Sequence, residues 1–478
     1  MTPKDRSAPH PPYDASPAAN GDERGTWAAQ ARRTLLCWLS LCAAFAMSAC
    51  ALVPATPDPA VATQQMKARP ERMIVLAVVN PPETLMLRAG STAAGYGAAG
   101  GYSPGGSARA RVAALARQYG LREVSAWPIP SLKVHCAMLE IIGDTPREEV
   151  VARLAADSRV SLAQPLQTFD LLADAPAGNN DYTDLQQGFR EIGAGAAQKV
   201  TRGDSVRVAV IDTGVDTTHP DLHDRIVSTR NFVDEDWTQF NRDLHGTAVA
   251  GVIAADRAGG AGGAGGADGK AGKAGIEGVA PHAKLIAVKA CWQADNRSGP
   301  SRCNSFTLAE AIQSALEAHA QIINLSLGGP KDPLLTQLIE LSVRKGVIVV
   351  GAVLPDGNLK AFPVGVPGVI AVDSARASAR ATNGPASDST ARVLYAPGHD
   401  ILTLTPGGHY DFVSGSSFAT ANVTGTIALL LGLQPNLDAR SIETLLDQTS
   451  GPSRQHVRVI NACRAVEALH HTCVEAAR

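Results

Sequence analysis

From residue 185 onward, the chain repeats one pattern, a short unbroken apolar run followed by a longer segment of mixed composition. Five such runs lie at residues 206–211, 284–288, 322–325, 347–350 and 369–371. Unbroken apolar runs are typical of strands buried on both faces of a parallel sheet, whereas half-exposed strands alternate apolar and polar residues. Helices between such strands cover the two faces of the sheet. The sequence therefore predicts an α/β fold with a doubly wound, mostly parallel sheet over residues 185–478.

A different pattern fills residues 72–172. Strand-like runs at 73–79, 123–127, 133–142 and 160–170 alternate with helical spacing at 108–119 and 146–156. The order β-α-β-β-α-β predicts a small α+β unit of the ferredoxin-like kind. On its own, this fold names no function.

The first 50 residues predict a disordered, polar N-terminus that ends in an export signal. Arg32 and Arg33 precede an apolar run at 34–49, and the run closes on small residues, which is the arrangement of an export signal. Residues 47–50, Met-Ser-Ala-Cys, also resemble the lipobox of bacterial lipoproteins, whose cysteine is lipidated, although Leu is usual where Met47 stands. We expect an exported protein that is either anchored to the cell envelope through Cys50 or secreted or periplasmic. Residues 51–71 and 173–184 are predicted to be linkers.

Charge and cysteine usage limit the partners. The formal net charge is -2, so nucleic acid is excluded as a partner and contact with a membrane is expected only through a lipid anchor. None of the eight cysteines forms a CxxC motif, which leaves a zinc site without support. Two local pairs, Cys291 with Cys303 and Cys463 with Cys473, suggest two disulfides in an exported chain. The alternative is four free, buried thiols.

Three short segments carry residues suited to acyl-transfer chemistry. Asp212 ends a buried strand at the carboxyl edge, where α/β sheets place active sites. His245 opens a helix of small residues, and Ser417 stands at the start of a strongly apolar helix. Each has an ordinary structural interpretation: a turn for Asp212, a surface position for His245 and a helix N-cap for Ser417.

Together the three residues favour catalysis. A serine is a weak nucleophile that needs an adjacent base, and the base needs a carboxylate to hold its tautomer. The chain order Asp, His, Ser is that of subtilisin. The chain resembles the subtilisin family in these blocks, which read Asp212-Thr213-Gly214, His245-Gly246-Thr247 and Gly415-Ser416-Ser417-Phe418-Ala419. The similarity runs from about residue 185 to 468.

The resemblance implies a serine endopeptidase that acts on polypeptide substrates with Asp212, His245 and Ser417 as its triad. It implies that the unit at 72–172 is a propeptide acting as an intramolecular inhibitor. It assigns Ser326, Leu327 and Gly328 to the strand that pairs with substrate, with a weak preference for a large apolar residue before the scissile bond. No cofactor is needed for the chemistry, but Asp221 matches a ligand of a structural calcium ion.

One block departs from the family pattern. The family has an Asn after the strand at 347–350 whose side chain donates to the oxyanion, but a direct count places Pro355 there. A proline offers no donor. Asn358 is the candidate substitute.

Two functional hypotheses follow from these residues. The first is an exported serine endopeptidase. The second is a catalytically weak binding or scaffold protein on the cell envelope, supported only by the altered oxyanion position. A lipase or esterase of the α/β-hydrolase type is excluded, because no Gly-x-Ser-x-Gly elbow surrounds a candidate serine.

Overall fold

The computed structural model describes residues 59–80, 106–172, 185–234, 236–257, 275–293, 301–375, 392–453, 457–470 and 472–473. The export signal, Cys50, the linker at 173–184 and the Gly/Ala-rich segment at 258–274 lie outside these residues. All described residues belong to one compact unit, Pro57–Arg478.

The N-terminal described part is an α+β layer, which we call the α+β subdomain (residues 59–166). Its elements are α1 (Pro59–Ala68), β1 (Met73–Val79), α2 (Gly106–Tyr119), β2 (Leu121–Ile129), β3 (Val134–Ile141), α3 (Arg147–Ala155) and β4 (Leu162–Pro165). The strands form an antiparallel sheet in the order β2-β3-β1-β4. From β1 to β4 the chain thus follows the order β-α-β-β-α-β.

Strand β1 is an unbroken apolar run because both faces of its sheet are covered. Ile74, Leu76 and Val78 pack into one cluster with residues of α2 and α3. Met73 and Val75, which point the other way, join a second cluster that continues into the C-terminal part of the chain. The sheet is therefore the middle layer between its own helices and the rest of the protein.

Two boundaries predicted from the sequence differ in the structure. Part of the predicted linker at 51–71 is helix α1, which buries Ala62 and Met66. The predicted strand at 160–170 is two strands, because the chain leaves the first sheet after Pro165 and enters another as β5 (Thr168–Leu171). We call residues 167–172 the tail.

The remaining residues form an α/β layer, the α/β subdomain (residues 185–473). Its helices are α4 (Gln187–Glu191), α5 (Ala194–Ala197), α6 (Trp237–Phe240), α7 (Leu244–Ala254), α8 (Ser305–Glu317), α9 (Pro333–Arg344), α10 (Ser416–Leu433), α11 (Ala439–Thr449) and α12 (Ala462–His470). Its strands are β6 (Arg207–Asp212), β7 (Ile226–Asn231), β8 (Lys284–Lys289), β9 (Cys291–Gln293), β10 (Ser301–Asn304), β11 (Ile322–Leu325), β12 (Leu327–Gly328), β13 (Ile348–Ala352), β14 (Val369–Ser374), β15 (Val393–Ala396), β16 (Ile401–Thr405), β17 (His409–Val413), β18 (Gly451–Pro452) and β19 (Arg458–Val459).

Seven of these strands make one parallel sheet in the order β15-β14-β13-β11-β6-β8-β7. Residues of α7 and α10 cover one face, and residues of α8 and α9 cover the other. The predicted doubly wound α/β fold is confirmed. Helix α10 has the length and composition of a membrane span, but 89% of it is buried inside the protein, as expected for a core helix.

A small second sheet joins the two subdomains, in the order β12-β5-β10-β9. The tail supplies its second strand. The structure has a disulfide between Cys291 and Cys303, which links β9 to β10, and another between Cys463 and Cys473 at α12.

Candidate active site

Asp212 and His245 meet at the carboxyl edge of the parallel sheet. Asp212 ends β6 and is fully buried. His245 Nδ1 lies 2.8 Å from Asp212 Oδ1 and 2.9 Å from Oδ2, and its side chain is 10% exposed. The other ring nitrogen, Nε2, is buried and has no hydrogen-bond partner in the described part of the chain. With Nδ1 held by the carboxylate, Nε2 is the nitrogen free to accept a proton.

The start of α7 comes unusually close to the end of β6 because residue 246 has no side chain. A Cβ on Gly246 would lie 2.1 Å from the carbonyl oxygen of Gly214. The Gly246 N–H donates to Thr213 Oγ1 at 3.2 Å. The His-Gly-Thr sequence therefore brings His245 against the Asp212 strand through backbone contact.

Ser417 lies in the first turn of α10 and is fully buried. Its Oγ donates to the carbonyl oxygen of Ser326 at 3.0 Å rather than to His245. The next residue, Phe418, has its ring centroid 5.6 Å from that of His245. Ser416, by contrast, donates to the carbonyl oxygen of Val353 at 3.0 Å. The two adjacent serines thus point to different parts of the site.

A buried polar network fixes the backbone around Ser417. Ser326 Oγ donates to the Ser417 carbonyl at 3.1 Å and accepts from Asn324 Nδ2 at 2.9 Å. Thr424 Oγ1 donates to Asn324 Oδ1 at 2.8 Å. Because every member has a partner, the network holds β11 and α10 in one arrangement.

The tail lies in the cleft as an added strand. Leu327 and Gly328 pair antiparallel with Leu171 and Asp170 on one side of it. On its other side, Arg302, Cys303 and Asn304 pair with residues 170, 169 and 168. The predicted substrate-binding residues Ser326, Leu327 and Gly328 therefore lie where an extended peptide is bound, and β10 forms the opposite edge. Sequence reasoning missed β10, although the Cys291–Cys303 pair marked its hairpin.

The tail ends at the nucleophile. The Ser417 N–H donates to the carbonyl oxygen of Leu172 at 3.3 Å. Three residues before Leu172 is Phe169, which is fully buried and stacks edge-on against Phe362, with ring centroids 5.3 Å apart. The Phe169 ring fits because residue 329 is glycine; a Cβ there would lie 2.4 Å from Phe169 Cδ1.

The loop after β13 brings no side-chain donor to the Leu172 carbonyl. Residues 355–358 are exposed. The side chain of Asn358 stays within its own turn, where Oδ1 accepts from the Lys360 N–H at 3.0 Å. Among the described residues, the Ser417 N–H is the one hydrogen-bond donor to Leu172 O. The structure thus does not place Asn358 at the predicted oxyanion position.

A buried Lys289 stands beside Asp212, and the sequence analysis did not single it out. Its Nζ donates to the Thr213 carbonyl at 2.6 Å and to Asp243 Oδ2 at 2.5 Å. Desolvation by burial raises the pKa of Asp243 to about 6, and the charge of Lys289 opposes that rise. The sequence signal that could have identified Lys289 is a lysine at the end of an apolar strand.

Asp221, the predicted calcium ligand, is buried and accepts hydrogen bonds from groups of the protein. Its Oδ2 accepts from the Ile276 N–H at 2.9 Å and from the Tyr410 hydroxyl at 3.0 Å. Within the described residues, no group of three or more His, Cys, Asp or Glu side chains could hold a metal ion. The described surroundings of Asp221 therefore fit a hydrogen-bond acceptor better than a carboxylate cage for calcium.

Comparison with known proteins gives one consistent result. The model of the subtilase family, Peptidase_S8, matches residues 203–466. An intracellular serine protease of Paenibacillus polymyxa is 33% identical over 295 residues, which cover 57% of this chain and 83% of that protein. Thermitase of Thermoactinomyces vulgaris is 32% identical over 291 residues, 60% of this chain and 97% of that protein.

A solved structure extends the similarity of fold beyond the matched family region. Fervidolysin from Fervidobacterium pennivorans, described as a keratinolytic enzyme related to subtilisin, superposes with a TM-score of 0.58 at 21% identity. The alignment covers 83% of this chain and 61% of fervidolysin. At this identity the likeness concerns the fold alone.

Proposed function

The chain belongs to the subtilase family and is a subtilisin-type serine endopeptidase, and we propose that Asp212, His245 and Ser417 are its catalytic triad. The observation that carries the proposal is the contact between the Ser417 N–H and the Leu172 carbonyl, made while the tail lies in the cleft as a strand. A peptide carbonyl at this point lies at the helix N-terminus that carries the nucleophile, where an oxyanion is stabilised.

The proposed reaction begins with a rotation of the Ser417 side chain. Its Oγ leaves the Ser326 carbonyl and donates to His245 Nε2, the buried nitrogen without a partner. As Oγ attacks the peptide carbonyl carbon, His245 takes the hydroxyl proton and Asp212 stabilises the imidazolium. The carbonyl oxygen becomes the oxyanion and accepts from the Ser417 N–H.

Collapse of this intermediate breaks the C–N bond. His245 gives its proton to the leaving amine, and an acyl-enzyme ester remains on Ser417. Water, deprotonated by His245, then attacks the ester carbonyl. The carboxylic acid leaves, and Ser417 regains its proton.

We further propose that the α+β subdomain is a propeptide that inhibits its own enzyme and is cleaved between Leu172 and Ala173. In this proposal Leu172 is the residue before the scissile bond. It is also a large apolar residue, in line with the preference expected for substrates. Processing at this point would leave a mature chain that begins at Ala173.

Export and lipidation at Cys50 remain proposals that rest on the N-terminal sequence. The names of the matched relatives do not decide the location, since two of them are called intracellular. A lipid anchor is tested by labelling cells with an alkyne palmitate analogue and comparing the protein with its Cys50→Ser variant. Calcium is given no part in the proposed chemistry.

Active-site labelling tests the triad. A fluorophosphonate probe should label the processed protein on Ser417, and N-terminal sequencing should find a chain starting at Ala173. Cleavage of casein should accompany both. A folded protein that stays unlabelled and leaves casein intact would instead support the catalytically weak binding or scaffold protein.

A further inference from the structure

A buried ion pair lies directly behind Asp212. Lys289 ends β8 in register with Asp212 on the neighbouring strand, and its side chain is 1% exposed. Its ammonium has two partners, the Thr213 carbonyl and Asp243 Oδ2. Thr213 directly follows Asp212 in the chain, and Asp243 lies two residues before His245.

Asp243 is the N-cap residue of α7, directly before Leu244. Its Oδ1 accepts from Gln239 Nε2 at 3.1 Å, and its carbonyl accepts from Thr247 Oγ1 at 2.6 Å. Residue 214 must be glycine for the carboxylate to fit, because a Cβ there would lie 2.6 Å from Asp243 Oδ2. The ammonium of Lys289 therefore ties the strand end that carries Asp212 to the helix that carries His245.

Stability alone does not explain a charged pair at this depth. Removing two charges from water is costly, and replacing a buried ion pair by apolar residues is often neutral or stabilising. A pair kept beside the reacting groups is better explained by the geometry and charge that it imposes. The hydrogen bonds of Lys289 and Asp243 go to Thr213, Gln239, Thr247 and each other, so an effect on catalysis is expected through Asp212 and His245.

We propose that Lys289 and Asp243 are positioning residues for the catalytic dyad, holding Asp212 against His245 and balancing the charge around the imidazole. The proposal rests on the triad proposed above. Three other charged groups interact with the pair or with each other: Asp212 on β6, Lys67 on α1 and Asp234 after β7. His245 on α7 lies two residues after Asp243. Asp234 and Lys289 act on Lys67 with opposite sign, whereas Asp212 acts on Asp243 directly.

The two halves of the pair should change the pH profile in opposite directions. Lys289→Met removes a positive charge near the imidazole, which favours the imidazolium and moves the acid limb of kcat/KM to higher pH. Asp243→Asn removes a negative charge and moves that limb to lower pH. We expect the acid limb to move by about half a pH unit to one pH unit in each variant. Both variants should lose activity mainly in kcat, by roughly 10–100-fold, since misplacement by an ångström costs about 10²-fold.

Lys284→Met is the matched control, because Lys284 starts the same strand and its Nζ donates to the Asp224 carbonyl at the protein surface. It should keep the wild-type kcat and pH profile. Folding of each variant is checked by circular dichroism, and if Lys289→Met does not fold, Asp243→Asn carries the test. Folded variants with wild-type kcat and unmoved acid limbs, or with limbs that move in the same direction, would overturn the proposal. Fluorophosphonate labelling keeps the two proposals apart, because a wrong triad abolishes labelling of Ser417 in the wild type.

Discussion

The α+β subdomain and its tail hold the α/β subdomain in two places that differ in kind. In the cleft, the tail is held by antiparallel backbone pairing with β10 and β12. On the helix face, formed by α8 and α9, the contacts are made by side chains. Trp127 stacks edge-on against Phe306 with centroids 4.4 Å apart, Ser131 bonds Gln313, and Gln164 reaches Asp332.

The two kinds of contact differ in how strongly they select the sequence that they bind. Backbone pairing accepts many sequences, with selectivity left to pockets such as that of Phe169. The helix face offers side-chain partners that a substrate lacks. We infer that the cleft is shared by the tail and by substrates, whereas the helix face recognises only the protein's own α+β subdomain.

The largest effect is expected at the cleft. Ser417→Ala should abolish both cleavage after Leu172 and hydrolysis of casein, because Ser417 is the proposed nucleophile and its N–H contacts the Leu172 carbonyl. In subtilisin itself, loss of the nucleophile lowers kcat by about 10⁶. Ser416→Ala is the control and should keep most of the activity, since Ser416 Oγ faces the Val353 carbonyl. If Ser416→Ala were the inactive variant, the assignment of the nucleophile would be off by one residue.

The second-largest effect on kcat is expected from substitutions in the loop after β13, beside the oxyanion position. Asn358→Ala should change kcat by less than about twofold, because the Asn358 side chain is held in its own turn. Placing Asn at 355 and Gly at 354 should raise kcat; the corresponding donor in subtilisin is worth about 10²–10³. Steady-state kinetics on a peptide substrate measure both. A loss of about 10²-fold in Asn358→Ala would mean that the loop rearranges to bring Asn358 to the oxyanion.

These two predictions mark what the sequence could and could not supply. Asp212, His245 and Ser417 sit at ends of buried strands and helices, so their motif neighbours determine where they lie. The five apolar runs found the parallel strands for the same reason, since burial on both faces admits few polar residues. The loop at 355–358 is exposed, and there local turn hydrogen bonds decide the conformation. Its structure did not follow from the motifs.

Other features depended on contacts between distant segments. In the sequence, β5 has the pattern of a continuation of β4. Its pairing with β10 and β12 shows that it belongs to another sheet. Helix α1 has a weak apolar pattern and is fixed by packing of Ala62 and Met66. The Lys289–Asp243 pair joins residues 46 positions apart in the sequence, a separation that no local motif reports.

A third prediction contrasts the two attachment sites directly. Gln164 Nε2 donates to Asp332 Oδ2 at 2.7 Å, and its Oε1 accepts from the Leu334 N–H at the start of α9 at 3.0 Å. Gln164→Leu removes the hydrogen bonds to the Asp332 carboxylate and to the Leu334 N–H, and an unsatisfied buried polar group costs about 1–3 kcal/mol. The cleaved α+β subdomain should then dissociate roughly 10–100-fold more readily, which the onset of peptidase activity after processing measures.

Thr168→Ala is the matched control on the cleft side. Thr168 is exposed, and it pairs with Asn304 through the backbone, so its side chain should contribute little. An effect of Thr168→Ala as large as that of Gln164→Leu would remove the distinction between backbone and side-chain attachment.

The smallest expected effect concerns pH and the helix face. Glu310 lies on α8 four residues after Phe306 and three before Gln313, hence on the face that meets the α+β subdomain. Burial raises its pKa to about 8. Once the α+β subdomain has left, the carboxyl is more open to water and its pKa should return toward the ordinary value near 4.5. The attached state therefore binds the proton more tightly, and attachment should be strongest at acid pH and weaken as the pH rises toward 8.

Glu310→Gln keeps the shape of the side chain and removes its titration, so it should flatten this dependence. We expect the wild-type cleaved complex to release its α+β subdomain several-fold more readily at pH 8 than at pH 6, and the variant to release it equally at both. Size-exclusion chromatography of the processed protein at the two pH values measures the bound fraction. Glu317→Gln is the control, because Glu317 is exposed near the end of the same helix and should behave as wild type. A pH dependence that survives in Glu310→Gln would assign the titrating group elsewhere, and equal release by wild type at both pH values would mean that the helix face holds the α+β subdomain without regard to charge.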